Sequence, residues 1–338
     1  MRVLVALLSL VLLSCAGSVL AQEEGGKPRT LSGPKGSVWA IAFSPDGSML
    51  AAASDVSKNT MRDGTETTIV EGGEILIWNV RQGTLHSTLK ASHFQVMSVA
   101  FASDGKTLAA GTFDEIGLWD VTTGKLKQRL EGFKGQPPAL AFSADGKVLV
   151  SINSWFDKNE LRLWDARTGE LLRTVTDQEN KAEFKALALS RDGKTIVTGS
   201  ALPGMRGEIK TWDADSGTLK LTIPTERSVD AVALSPDGDT LASPISSAIN
   251  FWDARTGLRK KSIDAFVSRV AYTPDGSRLL TMFVNEVMFI DLKRGEVAKK
   301  LRARAHCFAL SPDGLTLAIG HGDDEKGAVV LWDLTKQP

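Results

Sequence analysis

The sequence predicts an all-β fold built from seven repeated four-stranded antiparallel units, and three observations predict it. Asp-Gly recurs at Asp46, Asp104, Asp145, Asp192, Asp237, Asp275 and Asp313, 38 to 58 residues apart. A Trp-Asp or Trp-Asn pair follows six of these, at Trp78-Asn79, Trp119-Asp120, Trp164-Asp165, Trp212-Asp213, Trp252-Asp253 and Trp332-Asp333, with Ile290-Asp291 in the remaining unit. The 338 residues also include 31 Gly and 8 Trp against 1 Tyr and 4 His, a turn-rich composition in which imidazole chemistry is scarce.

Taken in order, the chain opens on a targeting pattern. Arg2 precedes an apolar run over residues 3–13, broken only by Ser9 and followed by small residues, which reads as a secretory signal peptide too short to span a membrane. Val19-Leu20-Ala21 places cleavage after Ala21, making 1–21 the signal and 22–28 a short tether. Leu12-Leu13-Ser14-Cys15 supports the alternative of a lipid anchor at Cys15. Either way Cys307 is the one thiol left, so no disulfide framework is expected, and its apolar surroundings predict a buried, inert side chain.

Within each unit, Ala42, Ala100, Ala141, Ala188, Ala233, Ala271 and Ala309 precede the Asp by four residues, between apolar neighbours, as in a strand buried on both faces. The Asp-Gly turn leads to a second strand, a variable loop, and a third strand ending in Trp-Asp. Gly83, Gly124, Gly169, Gly217, Gly257 and Gly295 then close a turn, and an aliphatic residue six positions on (Leu89, Leu130, Val175, Ile223, Ile263, Leu301) marks a fourth strand.

Seven such units in register resemble the WD-repeat family over residues 29–334, and the resemblance implies a seven-bladed β-propeller occupying 29–338. The last unit has no fourth strand of its own. Leu31 lies seven residues before Val38, as Leu89 lies seven before Val96, so Arg29-Thr30-Leu31 is expected to supply that strand and close the ring. The resemblance also implies a buried His, Ser/Thr, Asp and Trp tetrad. Here His93 belongs to a unit with Ala110 at the hydroxyl position, while Ser151, Thr198, Ser243 and Thr281 lack the His, so apolar packing is expected to hold the blades.

Forty basic and 40 acidic residues cancel, which gives no reason to expect nucleic acid or an anionic membrane as partner. No nucleophile elbow, His-Glu-x-x-His, Cys-x-x-Cys or phosphate loop occurs, and nothing implies a catalytic residue, metal or cofactor. His321-Gly322-Asp323-Asp324-Glu325 superficially resembles a metal cluster, but adjacent residues of one polar turn rarely surround an ion.

Recognition residues are sought where the repeats diverge. Near the start of each first strand stand seven different residues, Trp39, Met97, Pro138, Lys185, Asp230, Ser268 and His306, a mixed ring at the channel mouth. The variable loops offer Met61, Arg62 and Asp63, then Trp155 and Phe156, then Met205 and Arg206, residue types that anchor interfaces. Trp155 and Phe156 equally suit packing over a blade edge. The expectation is an exported, monomeric, non-catalytic scaffold that docks a protein or peptide on this face. The alternative is an enzyme or small-ligand binder at the channel mouth, using Lys185, Asp230, Arg269 and His306.

Overall fold

Each repeat turns where its sequence supplies a side-chain cap. In the first unit the Ser44 hydroxyl donates to Asp46 Oδ1 (2.6 Å) and accepts from the Met49 N–H (2.9 Å). The same Asp46 oxygen accepts from the Ser48 N–H (3.0 Å), and Gly47 adopts φ 72°, which a side chain would oppose. The hydroxyl–Asp pair recurs at Ser143/Asp145, Ser190/Asp192, Ser235/Asp237, Thr273/Asp275 and Ser311/Asp313. In the second unit, with Ala102 at the hydroxyl position, Asp104 caps the Lys106 and Thr107 N–H groups instead.

The Asp of Trp-Asp has the same task one hairpin later. Asp165 accepts from the N–H groups of Arg167 (2.8 Å) and Thr168 (2.7 Å). Asp291 accepts likewise from Lys293 and Arg294, so the sixth unit can exchange Trp for Ile290 while its turn still requires the carboxylate.

These turns fold the chain into seven four-stranded antiparallel sheets. The computed structural model describes residues 28–62, 65–92, 94–113, 115–130, 136–155, 158–176, 182–283, 285–323 and 326–335, all strand, turn or irregular. Blade one comprises Val38–Phe43, Met49–Arg62, Thr65–Asn79 and Thr84–Ser92; blade five has Ala233–Leu234, Thr240–Ile245, Ala248–Asp253 and Arg259–Asp264. Blade seven takes Cys307–Leu310, Thr316–Asp323 and Lys326–Asp333 from one end of the sequence and Arg29–Leu31 from the other. Arg29 pairs with Leu331 and Leu31 with Val329, so the ring closes as the Leu31 spacing predicts. Residues 1–27, on which the expected signal peptide, Cys15 and most of the expected tether fall, lie outside the described residues.

Packing between blades forms the core. Leu31, Val329 and Leu331 of blade seven bury themselves against Val38, Leu50, Leu76 and Trp78 of blade one. The second strands are the most buried: Leu50, Ala51, Ala52, Ala53, Leu149 and Val150 are inaccessible. The innermost strands depart from expectation. Ala42 and Ala141 are half-buried, because one edge of each inner strand lines the central channel rather than meeting another sheet. Their smallness has a different cause: the inner strand of blade one touches those of blades two and seven, and the converging strands leave room for a methyl group.

Apolar packing is also not the whole account. Trp164 Nε1 donates to Ser151 Oγ and Trp212 Nε1 to Thr198 Oγ1, both at 2.9 Å, so blades three and four keep the Trp–hydroxyl half of the tetrad. Ile319 occupies that position in blade seven, and Trp332 Nε1 is buried without a partner. His93 lies outside the described residues. Cys307 is buried as expected, and burial pushes its thiol up to about 12.

Three expected loops are hairpin extensions. In blade one the second and third strands stay paired out to Arg62 opposite Thr65, where a loop over 54–73 is expected; Asp63 lies outside the described residues. Thr, Ile and Val between 65 and 70 suit a pleated ribbon, which explains the difference. Trp155 is likewise a strand residue opposite Lys158. In blade seven Asp323 pairs with Lys326, so His321 and Asp323 belong to a strand. Among the described residues no group of three or more His, Cys, Asp or Glu is arranged to hold a metal.

Candidate upper-face interaction site

All Asp-Gly and Gly-closed turns fall at one end of the blades, the lower face. The hairpin tips and the connections between blades fall at the other, the upper face, which therefore escapes the repeat's hydrogen-bond constraints.

The ring residues reach this face through irregularities of the inner strands. The register slips between Val38 and Ala40 and between Phe184 and Ala186, so Trp39 and Lys185 are unpaired bulge residues, and bulges re-aim side chains. Pro138 lies within a similar slip between Gln136 and Ala139. Met97, Ser268 and His306 precede their inner strands and donate their N–H groups to Gly111, Met282 and Gly320. Trp39 is half-buried and stacks on the exposed His306 of the neighbouring blade, with centroids 6.0 Å apart and planes at 26°. Its indole N–H is buried without a partner.

The charged members of the ring are engaged along their own strands. Lys185 pairs with Glu183, and Asp230 accepts from the Ser228 hydroxyl at 2.7 Å. That arrangement suits a recognition rim better than a convergent set of catalytic groups. Among the loop candidates, Met205 is 69% exposed at φ 64°, with the Arg227 guanidinium 3.6 Å from its sulfur, and Arg206 is exposed beside it. Phe156 and the Trp155 side chain lie outside the described residues.

Two features escape the sequence reading. Four residues before the Trp or Ile of Trp-Asp stands a glutamate in five blades: Glu74, Glu115, Glu160, Glu208 and Glu286. It stands near the upper end of the third strand except in blade one, where the strand runs on past Glu74 to Thr65. In four blades it meets a cation: Arg129 for Glu115, Arg162 for Glu160 (2.6 Å), Lys210 for Glu208 (2.7 Å) and Lys300 for Glu286 (3.7 Å). The Lys210–Glu208 pair is almost wholly buried, and the Lys210 ammonium lies 6.0 Å from the Trp212 ring. Glu74 is buried and its carboxyl is raised, with burial the leading cause and the charges of Lys35 and Lys90 opposing it. Counting back from each tryptophan reveals this column.

The second is a pair of aromatic contacts, Phe94–Phe113 (5.5 Å) and Phe266–Phe283 (6.3 Å), where connections between blades meet hairpin tips. Phe94, Phe266 and Phe283 are 44%, 63% and 44% exposed. The lower half exposes Leu85, Leu171, Leu172, Leu219, Leu258, Val297 and Leu315, all aliphatic, whereas the exposed large aromatic residues among the described ones are the upper-face Phe94, Phe266 and Phe283. No periodicity marks the phenylalanines, so only the three-dimensional arrangement reveals them.

Residues 25–64 and 83–116 match the WD40 family, described as WD domain, G-beta repeat. The matched segments fall mainly on blades one and two of the seven four-stranded blades. The chain is a seven-bladed β-propeller with two segments similar to the WD40 repeat. It is similar to autophagy-related protein 16 of Arabidopsis thaliana, at 25% identity over 56% of this chain and 36% of the relative. It is also similar to periodic tryptophan protein 2 of the same plant, at 25% identity over 66% of this chain and 23% of the relative. The chain thus spans about a third and about a quarter of these curated relatives. Among the described residues no helix is long and apolar enough to cross a membrane.

Proposed function

We propose that this propeller is an exported, non-catalytic interaction platform that docks a protein or peptide on its upper face. The observation that carries the reading is the contrast between faces. Hydrogen-bonded turns occupy the lower one, whereas the upper one gathers Trp39 on His306, the exposed Phe266–Phe283 pair, Phe94 on the half-buried Phe113, and Met205. Exposed aliphatic residues occur on both faces, but the exposed phenylalanines are confined to the upper one, and aromatic side chains are what protein interfaces favour. Export rests on the apolar run at 3–13 and the small residues before Gln22.

Photo-cross-linkers at Met97 on the upper face and Lys293 on the lower test the docking. An adduct with another protein that forms from Met97 and is lost in Trp39→Ala supports the reading; adducts that form equally from Lys293 overturn it. Mass analysis of the protein purified from its own cells tests export: a chain starting at Gln22, or a lipidated Cys15, supports it, and an intact Met1 refutes it.

A further inference from the structure

We propose that the upper face between blades five and six receives a short acidic peptide segment carrying an aromatic or large aliphatic side chain. This rests on the docking reading above and adds the sector and the partner's chemistry.

The apolar half of the argument is the Phe266–Phe283 pair. Phe266 belongs to the connection between blades five and six, Phe283 to the end of blade six's second strand, and both keep much of their surface in water. They stay uncovered because the tips around them are short. In blade five Ile245 pairs with Ala248 across a two-residue turn, while the blade-one ribbon continues to Arg62 and Thr65. The two rings, tilted by 42°, offer a side chain an edge and a face to pack against.

The polar half is charge. Between Ala265 and Arg304 the sequence carries eight lysines and arginines against four acidic residues. Asp275, Asp291 and Glu296 sit at the lower turns with Arg278, Lys293 and Arg294. That leaves Glu286 and, at the end of blade five's fourth strand, the exposed Asp264 as acids of the upper end against Lys300, Arg302 and Arg304. Phe283, Glu286 and Arg302 form one rung across blade six, so Arg302 stands two strand spacings, roughly 10 Å, from Phe283. Arg302 is exposed; Arg269, also exposed, is paired with Met282 one rung below and so belongs to the opposite face of the sheet, toward blade seven. Lys300 reaches Glu286 only at 3.7 Å, and both side chains are more than a third exposed, so an incoming carboxylate can exchange into that contact at little cost.

Confinement of the positive field selects a peptide over a polyanion. Between Ala305 and Pro338 the balance reverses to five acidic and two basic residues. A nucleic-acid backbone or an anionic membrane needs cations along a continuous stripe and would meet repulsion at blade seven. A short acidic segment fits within the sector.

Fluorescence anisotropy with a labelled acidic peptide built around one phenylalanine tests this, beside the same peptide with lysine for glutamate, a single-stranded DNA, and phosphatidylserine vesicles. The expected result is binding of the acidic peptide alone, weakened by salt, and weakened about tenfold by Phe266→Ser and by Arg302→Glu. Both residues are exposed, and circular dichroism checks that the variants fold. Equal binding of the lysine peptide, tighter binding of DNA or vesicles, or indifference to both substitutions overturns the proposal. If the acidic peptide fails while the Met97 cross-link still forms and still depends on Trp39, this inference falls and the docking reading stands. If that dependence also fails, both fall.

Discussion

Blades one and five are written in the same repeat, yet their central hairpins differ more than twofold in length. Met49–Arg62 and Thr65–Asn79 face each other in one, Thr240–Ile245 and Ala248–Asp253 in the other. Their lower halves match closely: Ser44 and Ser235 cap the turn through Asp46 and Asp237, and Leu50 and Leu241 are both inaccessible opposite Trp78 and Trp252. The difference lies entirely above the last shared rungs. A blade is therefore two things joined end to end: a lower half fixed by side-chain caps and interblade packing, and an upper half whose length and chemistry the fold leaves free.

If that division is right, the largest losses come from the lower half and from the seam that closes it. Deleting Arg29–Leu31 leaves the third strand of blade seven as an open edge and uncovers Val329 and Leu331, so the protein should melt far lower and aggregate. Leu31→Ala alone should cost about 2–5 kcal/mol, as for other fully buried leucines. Thermal melts of the two variants measure this, and an unchanged midpoint for the deletion would mean that something else closes the ring.

A smaller effect separates blades that keep the Trp–hydroxyl bond from one that lacks it. Thr198→Val leaves Trp212 Nε1 buried and unpaired and should cost about 1–3 kcal/mol. In blade seven Trp332 is already in that condition, so Ile319→Thr should cost under about 1 kcal/mol, because the new hydroxyl finds the indole N–H. Denaturant unfolding of the two variants side by side decides the point, and equal costs would refute the local geometry.

The lower turns also set the acid limit. Hydroxyl and backbone N–H donors hold the carboxyls of Asp46, Asp145, Asp192 and Asp237 below the usual range, and that of Asp275 at about 2. A carboxyl depressed in the folded state contributes stability above its unfolded pKa of about 4 and loses it as pH falls through the folded value. Glu74, raised by burial, acts in the opposite sense but is one group among many. The melting temperature should therefore hold level between about pH 7 and 5 and fall between about pH 4 and 2. Asp275→Asn should flatten part of that fall, and a decline that starts near pH 6 would assign acid sensitivity to other groups.

The same division explains what could be read from the residues. Seven blades, the donated strand and buried Cys307 were legible because each follows from a periodic signal: the Asp that caps a turn, the aliphatic residue six beyond a glycine, the spacing of Leu31. The glutamate column is equally periodic but lies off the Trp-Asp signature. The hairpin extension at 57–70 and the Phe266–Phe283 contact were not legible. Each depends on how far two strands stay paired, or on which connection meets which tip, and the repeat does not encode either. Trp39 and His306 were identified singly; their stacking across two blades distant in sequence is a product of ring closure.

The smallest expected effect on stability is the most direct test of the division. Replacing residues 57–71 with Asn-Gly would join Val56 to Gly72 through a tight turn and give blade one the short tip of blade five. The rungs from Met49 to Asp55 and the packing around Leu50 and Trp78 remain. A two-stranded ribbon without a third strand is marginal on its own, and loop length alone contributes little. Stability should therefore change by less than about 1 kcal/mol. Any docking that uses the blade-one wall of the upper face should weaken, whereas binding at the blade five–six sector should persist. A loss of several kcal/mol in this variant would show that the ribbon belongs to the folded core and that the two halves of blade one are not independent.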